Sequence, residues 1–185
     1  MERVIEGDVF DVLKTLPEQS VHTCVTSPPY WGLRDYGVDG QLGLEPLHDC
    51  AGWATGKPCG VCYVCRMVEV FRLVRRVLRD DGTVWCNLGD TYAGGLRGSA
   101  AASTKQNGNA GSFFSAEAVP LPPGLKPKDL CMIPARVALA LQDDGWYLRS
   151  DIIWHKPNPM PESVTDRPTK AHEYIWLLSK RPTYY

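Results

Sequence analysis

The sequence lacks the features of a membrane, secreted or polycationic protein. No apolar run approaches the ~18 residues that a membrane-spanning helix needs, and the first residues have no basic segment followed by an apolar one, as a signal peptide would. With 20 basic and 21 acidic residues, a polycationic coat for nucleic acid is excluded, although a local basic face is not. We therefore expect one cytoplasmic globular domain with no membrane contact.

A disulfide framework is not expected either, because the cysteines number seven and no secretory signal is present. Four of them follow the spacing C-x8-C-x2-C-x2-C, namely Cys50, Cys59, Cys62 and Cys65. Thiolates at this spacing can reach one tetrahedral zinc ion. We predict a structural zinc site, with metal-free thiols as the alternative. The other three lie in apolar contexts typical of a core: Cys24, Cys86 and Cys131.

Helices and strands are predicted to alternate along the chain. Apolar periodicity predicts helices over residues 9–16, 66–79 and 133–142, and strands over residues 3–8, 21–26, 83–88, 147–154 and 173–179. This alternation indicates an α/β fold, part of a doubly wound sheet with helices on its faces.

Two stretches interrupt this single domain of residues 1–185. Residues 41–65 form a Cys-rich insertion without regular periodicity. Residues 93–128 are predicted to form a long flexible loop, because the Gly, Ala and Ser of its first part cannot bury enough surface to order it.

A stiff loop follows the predicted strand at 21–26. Its sequence is Ser27-Pro28-Pro29-Tyr30-Trp31-Gly32, and two prolines cannot continue a strand ladder. Ligands of open α/β sheets bind beyond the carboxyl ends of strands. A hydroxyl acceptor, rigid carbonyls and an aromatic plate suit a planar ring that carries an amino group. The alternative is a proline-terminated strand whose aromatic residues pack into the core.

Residues 26–34, Thr-Ser-Pro-Pro-Tyr-Trp-Gly-Leu-Arg, resemble motif IV of the DNA amino-methyltransferases. These enzymes methylate N4 of cytosine or N6 of adenine with S-adenosylmethionine. The resemblance continues through nearly all of the chain, at Gly7-Asp8, Leu16-Pro17, Val77-Leu78, Asp81-Gly82-Thr83, Asn87-Leu88-Gly89-Asp90, residues 151–158, Arg167, His172-Glu173-Tyr174 and Lys180. A catalytic motif near the amino terminus is similar to the permuted beta class, and implies a Rossmann-like methyltransferase fold.

The resemblance implies roles for individual residues in direct methyl transfer. The two N–H groups of the target amine would bond to Ser27 Oγ and the Pro28 carbonyl, with Tyr30 stacked on a base flipped out of the duplex. The implied catalytic residues are Ser27, Pro28, Pro29 and Tyr30. The implied cofactor contacts are Asp8, Thr26 and Ser27, although Asp8 has helix capping as an equal alternative. The expected DNA contacts are Trp31, Arg34, Arg97, Lys105, Lys156 and Arg167.

The family's Phe-x-Gly-x-Gly cofactor turn does not occur in the sequence. We therefore expect a chain that stops before its fold is finished, which leaves two alternatives to a working enzyme. One is a non-catalytic DNA- or partner-binding remnant. The other is half of a split methyltransferase, which needs a cofactor-binding half or self-association to cover its open sheet edge. A Pro-Cys nucleophile at Pro58-Cys59 is disfavoured, because it lies inside the four-cysteine pattern.

Overall fold

The computed structural model describes residues 4–47, 58–94, 121–159, 162 and 164–184. Along the chain these residues form three helices and four strands. The elements are α1 (Val9–Thr15), β1 (Val21–Thr26), α2 (Tyr63–Val77), β2 (Leu78–Leu88), α3 (Ile133–Asp143), β3 (Tyr147–His155) and β4 (His172–Ser179). The α/β class predicted from the alternating pattern is confirmed. Among the described helices, none is both long and apolar enough to cross a bilayer.

The four strands form one mixed sheet in the order β1-β2-β4-β3. β1 and β2 run parallel, with Thr26 opposite Cys86, whereas β4 runs antiparallel to both of its neighbours. The carboxyl ends of β1 and β2 therefore meet the amino end of β4 at one edge of the sheet. This is the edge where the loop after β1 was expected to bind a ligand.

α2 packs its apolar stripe against the sheet. Met67, Phe71 and Val74 are buried in one cluster with Val84 and Leu88 of β2. Burying one such large side chain contributes about 1.5–3 kcal/mol, so this stripe fixes the helix on the sheet.

Two arginines on the basic face of α2 bond to other segments of the chain. Arg72 pairs with Asp144, and the Arg76 guanidinium donates to the carbonyls at residues 13, 14 and 16. Of the cysteines expected in the core, Cys86 and Cys131 are buried and Cys24 is half-buried.

Three differences of three or more residues separate the structure from the predicted elements. Residues 4–8 form no strand, because Val4 is 96% exposed and meets no partner strand in the described sheet. β2 begins at Leu78 instead of residue 83, since Lys180 and Arg181 pair with Asp80 and Leu78 lies opposite Val21. α2 begins at Tyr63 instead of residue 66.

The early start of α2 has a local cause. Cys62 is the N-cap residue, and its sulfur accepts the Cys65 amide while its carbonyl accepts the Arg66 amide at 3.0 Å. A sulfur cap is weaker than a hydroxyl or carboxylate cap, and for that reason propensity rules did not identify it.

The two predicted interruptions are only partly described. Of the insertion at 41–65, the structure covers 41–47 and 58–65. Of the loop at 93–128, it covers 93–94 and 121–128, and the Lys128 amide donates to the Ala93 carbonyl at 2.8 Å. The two described ends of that loop are thus joined, while residues 48–57 and 95–120 lie outside the described residues.

Candidate functional site

Three polar side chains converge at the edge where β1 and β2 end. Ser27 follows β1 and is exposed, Asn87 lies one residue before the end of β2, and Glu173 is the second residue of β4. The sheet register places Asn87 opposite Ile175, beside the strand that carries Glu173. Chain segments far apart in sequence therefore build one site.

The Tyr30 hydroxyl is the centre of a hydrogen-bond network. Its oxygen accepts from Ser27 Oγ at 3.2 Å and from Asn87 Nδ2 at 2.9 Å. Its own proton goes to Glu173 Oε2 at 3.0 Å, and Asn87 Nδ2 donates to the same carboxylate oxygen at 3.0 Å. Lys156 forms an ion pair with the other oxygen of Glu173. The order of donors and acceptors runs from Ser27 through Tyr30 to Glu173.

Burial is the main reason that Tyr30 stays neutral, and the hydrogen bonds of this network keep Glu173 ionised. Burial, and then the hydrogen bond and negative charge of Glu173, raise the pKa of Tyr30 to about 12. Burial alone would oppose ionisation of Glu173. The hydrogen bonds from Lys156, Asn87 and Tyr30 outweigh it and hold the pKa of this carboxyl below its ordinary value. At neutral pH the carboxylate is a fixed acceptor for the Tyr30 proton.

Residues 27–34, which we call the proline loop, are held by a hydrogen bond from helix α2. The buried Tyr63 of α2 donates its hydroxyl to the Pro29 carbonyl at 2.8 Å. The Pro28 carbonyl accepts no hydrogen bond from the described residues. Gly89 lies against the Tyr30 ring so closely that a Cβ there would lie 2.5 Å from it. One carbonyl of the loop is therefore used internally, and the preceding one is open.

A cleft of about 330 Å³ opens beside the proline loop. Ser27, Pro28, Pro29 and Tyr30 line one part of it, and Leu33, Arg34 and Tyr36 line the rest. Its size falls within the roughly 300–1,000 Å³ of small-molecule sites. The four residues predicted to be catalytic thus share one accessible space.

The predicted cofactor contacts lie at two places. Thr26 and Ser27 lie at the carboxyl end of β1. Asp8 is the N-cap of α1, where its carboxylate accepts the Phe10 amide at 2.8 Å. The capping role that the sequence left open is present, and the cofactor role of Asp8 stays a prediction.

The predicted DNA contacts are dispersed. Trp31 is 2% exposed and donates its indole N–H to the Glu45 carbonyl, so it belongs to the core, whereas an exposed DNA contact was predicted. Arg34 is exposed in the cleft. Lys156 pairs with Glu173, and the Arg167 guanidinium lies 3.8 Å from the Tyr92 ring. The remaining two, Arg97 and Lys105, lie outside the described residues.

Three of the four cysteines in the predicted zinc pattern lie together. The sulfur atoms of Cys59, Cys62 and Cys65, which we call the thiol cluster, are all within 4.8 Å of one another. Although partial burial opposes ionisation, backbone amides donated by Val61 and Cys62 lower the pKa of the Cys59 thiol to about 6. Cys50 lies outside the described residues, and its place in the predicted site stays a prediction.

Sequence reasoning missed the roles of Asn87, Glu173 and Tyr63. The first two occurred only within stretches that resembled family motifs, and Tyr63 was not singled out. A signal was present for two of them, because Asn87 and Glu173 are polar residues near the ends of strands whose central residues are apolar. Their meeting with Tyr30 depends on strand order and register, which the sequence does not show.

A family model described as DNA methylase, covering N6 and N4 methyltransferases, matches residues 21–185. The chain is 50% identical over 182 residues to the type II methyltransferase M.Cfr9I of Citrobacter freundii, covering 98% of this chain and 55% of that protein. It is also 50% identical to the type II methyltransferase M.SmaI of Serratia marcescens, covering 99% of this chain and 57% of the relative. The chain therefore spans little more than half the length of these relatives.

Solved structures share the fold. A candidate DNA modification methylase from Thermus thermophilus, complexed with S-adenosyl-L-methionine, matches with a TM-score of 0.56 and 22% identity, over 97% of this chain and 53% of that one. The cytosine-N4-specific PvuII DNA methyltransferase matches with a TM-score of 0.57 and 18% identity, over 96% and 49%. At these identities the likeness extends to the fold alone.

Proposed function

The chain belongs to the N6/N4 DNA methylase family, and from this we propose that it is the catalytic part of a DNA methyltransferase. The reaction would move a methyl group from S-adenosylmethionine to the exocyclic amino group of cytosine (N4) or adenine (N6). Type II methyltransferase relatives support a role in restriction-modification. Because its substrate would be DNA and its relatives are type II methyltransferases, we place the enzyme in the cytoplasm.

One observation carries the proposal: the Ser27 hydroxyl is arranged as an acceptor. Its proton is committed to Tyr30, whose own proton is committed to Glu173. The lone pairs of the exposed Ser27 Oγ are therefore left for an incoming donor. The open Pro28 carbonyl is a second acceptor. Two acceptors beside a cleft match the two N–H groups of an amino-substituted ring.

These acceptors address the chemical difficulty of the reaction. An exocyclic amine on a nucleobase is a poor nucleophile, because its lone pair is delocalised into the ring. Hydrogen bonds to Ser27 Oγ and the Pro28 carbonyl favour a tetrahedral nitrogen and stabilise the positive charge that develops on it. The nitrogen must also lose one proton, and the exposed position of Ser27 gives that proton a route to water.

The described residues fit the cofactor in part. Thr26 and Ser27 lie at the sheet edge where open α/β folds bind ligands, and we propose them, with Asp8, as contacts. When bound, S-adenosylmethionine supplies an electrophilic methyl group whose carbon–sulfur bond breaks as the nitrogen–carbon bond forms. The sequence holds no Phe-x-Gly-x-Gly turn, so the proposal assigns that contact to residues outside these 185.

The free edge of the sheet at β1 is evidence that a further segment of the enzyme pairs there. β1 pairs only with β2 among the described strands, and Val25 on β1 is 78% exposed. An open strand edge with exposed apolar residues favours pairing with another segment. We propose that a cofactor-binding half pairs there, with self-association as the alternative.

The DNA contacts that remain in the proposal are all basic, and two of them lie outside the described residues. They are Arg34, Lys156, Arg167, Arg97 and Lys105. The first lines the cleft, and Lys156 and Arg167 lie on the segments around β3 and β4.

The test is transfer of a labelled methyl group to DNA, with this chain alone and with an added cofactor-binding half from a longer relative. We expect activity in the second case, and a loss of about 100-fold or more for Ser27→Ala. Ser20→Ala is the matched control, because Ser20 is an exposed serine that bonds only to the neighbouring Pro17 carbonyl. Equal activity of Ser27→Ala and wild type would contradict the site.

The absent glycine turn favours one second candidate, a DNA- or partner-binding remnant without catalysis. Titration of the chain with S-adenosylmethionine, alone and with the added half, separates the two functions. Binding restored by the added half supports the enzyme. DNA binding without cofactor binding in either case supports the remnant.

A further inference from the structure

We propose that Cys59, Cys62 and Cys65 bind a zinc ion at the amino end of α2, and that this ion fixes the helix end beneath the proline loop. The three sulfurs lie within 4.8 Å of one another, and those of Cys59 and Cys65 are 3.4 Å apart. With zinc–sulfur bonds of about 2.3 Å, the sulfurs of a tetrahedral site lie roughly 3.8 Å apart. Little movement is needed to close them on one ion.

The backbone around the cluster is shaped to hold thiolates. Gly60 has a φ of 73°, a conformation that glycine adopts without strain, and it turns the chain back over Cys59. The Cys62 amide then donates to Cys59 Sγ at 3.4 Å, and the Cys65 amide donates to Cys62 Sγ at 3.5 Å. These donors, with the positive end of the 15-residue helix α2, would stabilise sulfurs that lose their protons to a bound cation.

The chemistry of the donors selects the ion. Three thiolates this close would repel one another, so a cation between them is what would let all three sulfurs ionise together. Soft sulfur ligands select zinc over magnesium or calcium, which prefer oxygen. Cys62 and Cys65 are buried and Cys59 is exposed, so an ion can enter from the Cys59 side.

The position of the cluster gives the ion a structural consequence. Tyr63 directly follows Cys62, its amide donates to the Pro46 carbonyl at 3.0 Å, and its hydroxyl reaches the Pro29 carbonyl at 2.8 Å. Fixing Cys62 therefore fixes Tyr63, and Tyr63 holds the proline loop. This inference is independent of methyl transfer, because the metal can be measured without any reaction.

The experiment measures metal in the full purified chain after saturation with Zn²⁺ and removal of the excess. We expect ~1 zinc per chain, and cobalt substitution should give the sulfur-to-metal charge-transfer bands of a thiolate-rich tetrahedral site. Cys59→Ser should lose the bound metal, whereas Cys59→His, which keeps an accepted zinc ligand, should retain it more weakly. Cys24→Ser is the matched control, since Cys24 lies on β1 outside the cluster.

Thermal unfolding provides a second readout that also detects misfolded variants. A chelator should lower the Tm of wild type and of Cys24→Ser, and should leave that of Cys59→Ser unchanged. Substoichiometric zinc in wild type with no charge-transfer bands from cobalt would overturn the proposal. So would a folded Cys59→Ser chain that binds zinc as tightly as wild type.

Discussion

The proline loop and the thiol cluster lie at the same end of α2 but are assembled over very different distances along the chain. Tyr30 meets Glu173 across 143 residues of sequence, whereas the contacts within the cluster span three to six residues. The loop depends on the register of the whole sheet. The cluster depends on one turn and the start of one helix. Damage to the sheet should therefore disable the loop first and leave the cluster intact.

Glu173→Gln is expected to have the largest effect that is confined to one region, because it should lower methyl transfer and leave the thiol cluster unchanged. The change removes the charged acceptor of the Tyr30 proton and the partner of Lys156. Ser27 would no longer be held as a pure acceptor, and methyl transfer in the completed enzyme should fall on the order of tenfold to 100-fold, with bound zinc unchanged. Glu173→Asp should recover part of the activity.

Glu18→Gln is the control for that change. Glu18 is an exposed glutamate whose carboxylate lies 3.7 Å from the Arg76 guanidinium, outside the hydrogen-bond network of Tyr30. The comparison fails if Glu173→Gln transfers methyl groups as fast as wild type, or if it also loses its metal.

A smaller effect, on stability, is expected from Tyr63, whose hydroxyl connects α2 to the proline loop. Tyr63→Phe removes the hydroxyl that α2 donates to the Pro29 carbonyl and leaves that carbonyl without its partner. We expect the free energy of unfolding to fall by about 1–3 kcal/mol, measured by urea denaturation. Burial raises the pKa of Tyr63 above its ordinary value, so it remains a donor across the pH range of the experiment.

Tyr147→Phe is the matched control, since Tyr147 is a partly exposed tyrosine at the start of β3. Equal stabilities of the two variants would show that the Tyr63 hydrogen bond does not join the regions.

The smallest effect is a dependence on pH. The pKa of Glu173 lies below its ordinary value of about 4.3. Its ionised form therefore adds stability that is complete above that value and is lost as pH falls through the pKa in the folded protein. The difference in urea midpoint between wild type and Glu173→Gln should shrink as the pH is lowered below about 4. Asp81 and Asp166 also have lowered pKa values, but they are present in both proteins and cancel. A difference that stays constant with pH would contradict this assignment.

The same contrast in sequence distance explains what could be predicted. The helices and all but the first strand followed from local periodicity, and the closeness of Cys59, Cys62 and Cys65 followed from their spacing within one short segment. The proline loop was identified because its own residues carry the chemistry. Glu173 and Asn87 were not assigned roles, because their positions follow from an antiparallel pairing that no local pattern encodes.

Trp31 is the opposite case, because it was predicted to contact DNA and is instead buried. Its neighbours suggested a surface role, but the indole is buried and donates to the carbonyl of Glu45, in a segment with no regular periodicity. Aromatic residues in a loop give no sign of which side they face, since burial depends on a partner segment. Tyr30, one residue earlier, lines the cleft instead.

The junction between α2 and β2 has a consequence for how the protein opens. The helix ends at Val77 and the strand begins at Leu78, with no connecting loop that could absorb movement. Protection of amide hydrogens from solvent exchange should therefore be shared from the first turn of the helix to the last residues of the strand, as one cooperative unit. An ion bound at one terminus would then slow exchange at the other, far along the backbone but adjacent in space.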